Sequence, residues 1–234
     1  MDRRTVILAE QQFEYDHDEY LRWGAADRQV DDDALRITGD LGKSAGSIAN
    51  QARSAASGRS SGNQHYPEVC YARHLIRGGE FPRDGLVYEN FRVSARERAR
   101  AKDPTKLVAA GTRRVAEIFT DEFFTRFDAL CDRNRNVQGA GVIEGARLDL
   151  FAVDRVRRRA GFWEIKKYGL SGNRTETVQV RQLLMLAFIQ HLVAEERDRM
   201  LRDPEYVVDV ALVAFVPRGR SMAQKQYTVE FDVV

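Results

Sequence analysis

Apolar side chains recur at three- and four-residue intervals through residues 105–131, at Leu107, Val108, Val115, Ile118, Phe119, Phe123, Phe127 and Leu130. That single stripe predicts a helix, with Thr105 as its N-cap. The period then changes. Val142-Ile143, Arg147–Val153 and Gly161–Lys167 read as strands, the last two joined by the basic turn Asp154–Arg159. Residues 175–201 return to a helical pattern (Val178, Leu183, Leu184, Leu186, Ala187, Ile189, Leu192, Val193). Tyr206–Val216, rich in β-branched residues, and Gln226–Val233, which alternates, read as two further strands. The order of helix, strands, helix, strand, strand predicts an α/β fold with a central mixed sheet flanked by helices.

The first 104 residues follow no such order. A short apolar run, Thr5–Ala9, leads into an acidic and aromatic stretch around Tyr15, Tyr20 and Trp23, where one short helix is expected. Residues 42–64 are dominated by Gly, Ser, Ala and polar residues and read as a loop. Residues 66–93, broken by Gly78-Gly79, Pro82 and Gly85, suggest short strands or turns. The expected division is therefore an irregular N-terminal extension over residues 1–104 and a core domain over residues 105–234.

Composition narrows the class. With 234 residues, 43% of them hydrophobic and 31% charged, the chain can bury a core beneath a heavily charged surface. No apolar run reaches the roughly 20 residues that span a bilayer, and Met1–Glu10 lacks the order of a signal peptide, so a cytoplasmic protein with no membrane partner is expected. Two cysteines, Cys70 and Cys131, supply neither a disulfide framework nor a four-cysteine metal site. The net charge of +2 hides an uneven distribution: residues 1–41 carry 5 bases and 11 acids, residues 42–105 carry 11 and 6. Arg96, Arg98, Arg100 and Lys102, together with the turn Arg155–Arg159, are candidates for contact with backbone phosphates. Gly42-Lys43-Ser44 ends like a phosphate-binding loop, but Ile37 stands where that loop requires glycine. The run Asp31-Asp32-Asp33 reads as a solvated helix start, and the four histidines lack metal-ligand spacing.

The chemistry concentrates in the two central strands. Asp149 interrupts an apolar strand, and Glu164 and Lys166 lie in the next. A period of two puts Glu164 and Lys166 on one face and Trp163 and Ile165 on the other. Two carboxylates and an ammonium near a sheet centre are costly unless they pair or hold a metal. Asp149, Glu164 and the backbone carbonyl of Ile165 form a hard oxygen set suited to Mg²⁺, with Mn²⁺ substituting. Lys166 beside them would stabilise charge on a phosphoryl group or orient a water.

Asp149 followed by Glu164-Ile165-Lys166 resembles the PD-(D/E)xK nuclease superfamily, over about residues 106–216, with Leu148 in place of the motif proline. The resemblance implies a restriction-endonuclease-like core of helix, three strands, helix, strand. Gln182 and the residues after it resemble the Gln-x-x-x-Tyr helix of RecB-like nucleases, Leu186 replacing the tyrosine, which implies that Gln182 approaches the active site. Gly111–Glu117 resembles the helix that supplies a further carboxylate, which makes Glu117 an implied metal ligand, with Glu122 as a fallback and Glu144 as another acid to consider. The implied activity is metal-dependent hydrolysis of phosphodiester bonds by an endonuclease acting on DNA. A nuclease directed at RNA, or a silent or partner-activated subunit of a defence, repair or phage complex, is the alternative. The N-terminal region would then serve substrate choice or a homodimer surface.

Overall fold

A computed structural model of the chain describes residues 2–16, 66–82, 86–88, 115–137, 148–168, 179–220 and 222–233. The strands are β1 (Arg3–Tyr15), β2 (Leu86–Tyr88), β3 (Leu150–Asp154), β4 (Arg159–Lys167), β5 (Val207–Pro217) and β6 (Gln226–Asp232). The helices are α1 (Tyr66–Arg77), α2 (Asp121–Arg133), α3 (Val180–Glu195) and the short α4 (Arg197–Met200). The strands form one mixed sheet in the order β2-β3-β4-β5-β1-β6. β3 and β4 are an antiparallel hairpin, β4 and β5 run parallel across the α3 connection, β5 and β1 are parallel, and β6 returns antiparallel to β1.

Helices cover both faces. Phe123, Phe127, Leu184, Phe188 and Leu192 of α2 and α3 pack on Phe151, Phe162, Leu212 and Phe231 of the sheet. On the other face Tyr71, Ala72 and Leu75 of α1 pack with Phe81 on Leu150, Trp163, Ile165 and Val213. Burial on both sides explains why the central strands β3, β4 and β5 are nearly continuous apolar runs. α3 runs antiparallel to β4 and β5: its last turn lies beside Arg4 at the start of β1, where Glu195 pairs with that arginine, so its first turn lies at the carboxyl end of the parallel strands. No helix among the described residues is long and apolar enough to cross a membrane.

Three expectations change. The division at residue 104 fails for β1, whose 13 residues lie inside the sheet between β5 and β6; only the strand partners, which are remote in sequence, reveal that role. Residues 66–77 are a helix, because Pro67 sits in its first turn and Gly78-Gly79 close its end. Gly79 adopts φ 67°, and the Gly78 and Gly79 amides donate to the His74 and Ile76 carbonyls at 2.8 and 3.0 Å. The stripe over 105–131 is interrupted: Phe119 bridges to Leu201, and Thr120 caps α2 by accepting from the Phe123 amide at 3.3 Å. Thr105, Val142-Ile143, Glu144, the loop 42–64 and the bases Arg96–Lys102 lie outside the described residues.

Candidate active site

The β3–β4 ladder ends at Leu150 opposite Trp163, and the next step of the register sets Asp149 opposite Glu164. Phe162 packs toward α2 and α3 while Trp163 and Ile165 pack toward α1, so Glu164 and Lys166 share the α3 side of the sheet as the alternation predicts. Asp149 is turned into this site by a backbone contact. The Ile165 amide donates to Asp149 Oδ2 at 2.8 Å, one step beyond the end of the ladder. Because the N–H and C=O of one strand residue point to the same side, the Ile165 carbonyl is directed to the flank where Asp149 lies.

Glu164 is fully buried, and Lys166, 7% exposed in its side chain, sets its Nζ against Glu164 Oε1. No donor among the described residues meets either Glu164 oxygen with the alignment of a hydrogen bond. Burial pushes the Glu164 carboxyl well above the usual carboxylate range, and the neighbouring charge of Asp149 pushes it the same way; Lys166 opposes both. With both carboxyls ionised, one ammonium would leave an excess of negative charge, which a retained proton or a bound cation relieves. Asp149, Glu164 and the Ile165 carbonyl are the residues that could hold a divalent cation: two carboxylates and a carbonyl are oxygen donors of the kind Mg²⁺ takes, water or phosphate oxygens completing its shell. Among the described residues no third Asp, Glu, His or Cys joins them as a metal-holding group.

Gln182 lies in the first turn of α3, at the same end of the sheet as Glu164 and Lys166. Its Oε1 accepts from the Gln179 amide at 3.4 Å. Glu117 is not brought to this site. It is half-exposed and paired with Arg155 in the β3–β4 turn, about 20 Å along the hairpin from Asp149 at the usual strand rise. The turn holding Glu117 is fixed there by Arg202, whose amide and Nε donate to the Ile118 and Ala116 carbonyls. Glu122 instead pairs with Arg199.

The basic turn is also committed elsewhere. Arg155 meets Glu117, Arg158 meets Asp203 at 3.2 Å and Glu205, and Arg159 meets Asp209 at 2.9 Å. Arg157 donates to the Gly79 carbonyl. Arg155, Arg158 and Arg159 thus each face one of the chain's own acids, at the end of the hairpin remote from Glu164. Lys167, the last residue of β4, is buried. His191 packs edge-on against Phe231, and burial lowers its pKa.

One residue of this face is not singled out by the sequence pattern. Glu10 of β1, buried, stands in the same row as Glu164, since both align with Leu212 of the strand between them. The hydroxyls of Tyr168 and Tyr227 donate to its carboxylate, at 3.1 and 3.3 Å. An acid directly after the apolar run Thr5–Ala9 is the available signal, and it becomes informative only once β1 is known to be central. Comparison of the chain with family models, with curated proteins and with solved structures gives no match.

Proposed function

We propose that the chain is a metal-dependent nuclease that hydrolyses phosphodiester bonds in DNA. The observation that carries the reading is the pairing of Glu164 and Lys166, both buried, beside the half-buried Asp149, with no aligned donor to either Glu164 oxygen among the described residues. A protein core holds a carboxyl at such a position as the neutral acid or against a compensating charge, and with Asp149 and Glu164 both ionised Lys166 alone would leave one negative charge over. Asp149, Glu164 and the Ile165 carbonyl would hold Mg²⁺ or Mn²⁺. When bound, the cation supplies Lewis acidity and neutralises charge at a phosphoryl oxygen.

The remaining work belongs to the chain's own groups. Lys166 Nζ, fixed against Glu164, would donate to a non-bridging oxygen of the scissile phosphate, where negative charge develops during in-line attack by water. Being almost fully buried, that ammonium acts in a medium of low dielectric, where a fixed positive charge is worth more than at the surface. The Ile165 amide holds Asp149 at a set angle, and Ile165 itself is locked into the α1-side core, so the motif is braced on both faces of β4.

Cleavage of linear and circular duplex DNA, single-stranded DNA and RNA, with Mg²⁺, Mn²⁺ or EDTA, tests this. Metal-dependent cleavage of DNA that disappears in Lys166→Ala supports the reading. Preference for RNA would replace the substrate, and absence of cleavage on every substrate would move the chain to a partner-activated or assembly role.

A further inference from the structure

Strand β5 ends at Pro217 at the same end of the sheet as Lys166, and the chain returns through residues 218–225 before entering β6. Residues 217–229 contain three bases, Arg218, Arg220 and Lys225, and no acid. All three are exposed, and none forms an ion pair or side-chain hydrogen bond among the described residues. This separates them from the arginines of the β3–β4 turn, which face the chain's own acids. Arg133, Arg135 and Arg197 likewise lack an acid, but they lie at the opposite end of the sheet, beside Asn134, which binds the Asp232 carbonyl, and beyond the end of α3.

Backbone and side-chain hydrogen bonds brace this connection against the sheet. The Arg218 amide donates to the Tyr15 carbonyl at 2.8 Å, and the Arg220 amide to the Pro217 carbonyl at 3.1 Å, closing a turn in which Gly219 adopts φ 75°. Gln12 Nε2 donates to the Met222 carbonyl at 2.6 Å, Gln224 Nε2 to the Glu10 carbonyl at 2.7 Å, and the Glu10 amide to the Lys225 carbonyl at 2.9 Å. The register gives the position relative to the site: Lys166 aligns with Ala214, Ala214 with Gln12, and Gln12 binds Met222. Three strand spacings, about 14 Å, therefore separate the Met222 backbone from Lys166. Along a DNA strand that distance is about four nucleotides at roughly 3.4 Å each.

We propose that Arg218, Arg220 and Lys225 form a ledge that contacts the phosphate backbone of duplex DNA beside the scissile bond. The inference rests on the nuclease reading, and it assigns the electrostatic contact to the β5–β6 connection in place of the arginine-rich turn. Unpaired arginines on a braced backbone suit phosphate oxygens, because little ordering of the backbone is needed on binding.

The test is the salt dependence of binding, measured by fluorescence anisotropy with a labelled DNA duplex in EDTA, so that no cleavage occurs. The full chain is compared with the triple variant Arg218→Ala/Arg220→Ala/Lys225→Ala and with Arg155→Ala/Arg158→Ala. Between about 50 and 200 mM salt, the slope of log affinity against log salt should shrink by up to about 2.7 in the triple variant, since each phosphate left without its basic side chain removes a counterion contribution of roughly 0.9. Arg218→Lys/Arg220→Lys, which keeps the charge, should keep the slope, and the turn variant should leave it unchanged. An unchanged slope in the triple variant, an equal decrease in the turn variant, or absence of duplex binding by the wild type would each overturn the ledge. An unchanged slope alongside cleavage that still depends on Lys166 would remove the ledge and leave the nuclease reading standing.

Discussion

At the scale of single residues, Glu164 is the most demanding position among the described residues. Its carboxyl is held above the ordinary range by burial and by Asp149, so the folded chain keeps a proton that the unfolded chain releases once pH passes about 4.3. Stability in EDTA should therefore fall as pH rises above that value, through the window up to the raised folded pKa, by up to about 1.4 kcal/mol per pH unit. Urea unfolding of wild type and Glu164→Gln across pH 5 to 8 measures this: the wild-type midpoint should drop relative to the variant, and Mg²⁺ should restore it in the wild type alone. Parallel midpoints that ignore Mg²⁺ would contradict a cation site at Glu164. The side-chain placement of Glu164 and Lys166 is legible in the sequence because a period of two follows from strand geometry alone. The roles of Glu117 and Arg155 are not, since each is decided by an ion pair across 38 positions of sequence.

At the scale of elements, β4 carries both the site and the steepest packing constraint. Trp163 folds its indole back over Gly161, so that a Cβ at Gly161 would lie 2.0 Å from the ring. The indole cannot swing away freely, because it packs edge-on against Phe81 and Tyr71. Gly161→Ala should destabilise the chain by about 1–3 kcal/mol through overpacking, read as a lower denaturant midpoint at unchanged slope; an unchanged midpoint would mean that Trp163 is not confined as described. The strands of the hairpin and helix α3 can be anticipated within about six residues, since each has a strong period; the start of α2 cannot, because the apolar stripe runs on past Phe119 and Thr120, where the helix is interrupted. Helix α1 cannot, because Gly78-Gly79 looks like a break within residues 66–93 when in fact it marks the end of a helix that has Pro67 in its first turn.

At the scale of the whole molecule, the N-terminal strand joins two parts of the sheet that would otherwise separate. β1 pairs with β6 through Arg3–Ala9 and with β5 through Glu10–Tyr15, and it carries Leu8 and Tyr15 into the cores on opposite faces. A chain lacking residues 1–16 should lose cooperative unfolding and the dispersed amide spectrum of a packed domain; a well-dispersed spectrum would contradict the central position of β1. That position is not legible in the sequence, because the partners of a strand are set by pairing across roughly 200 residues of chain. The sheet in turn brings Asp149, Glu164, Lys166, Glu10 and the β5–β6 connection to one end, while the self-paired arginine turn occupies the other. Cleavage of duplex DNA by purified wild type and Lys166→Ala, with Mg²⁺ and with EDTA, probes that site most directly. Mg²⁺-dependent cleavage by the wild type and none by the folded variant is the expected result. Equal cleavage by the two proteins, or cleavage that persists in EDTA, would contradict a cation-assisted site built on Glu164 and Lys166.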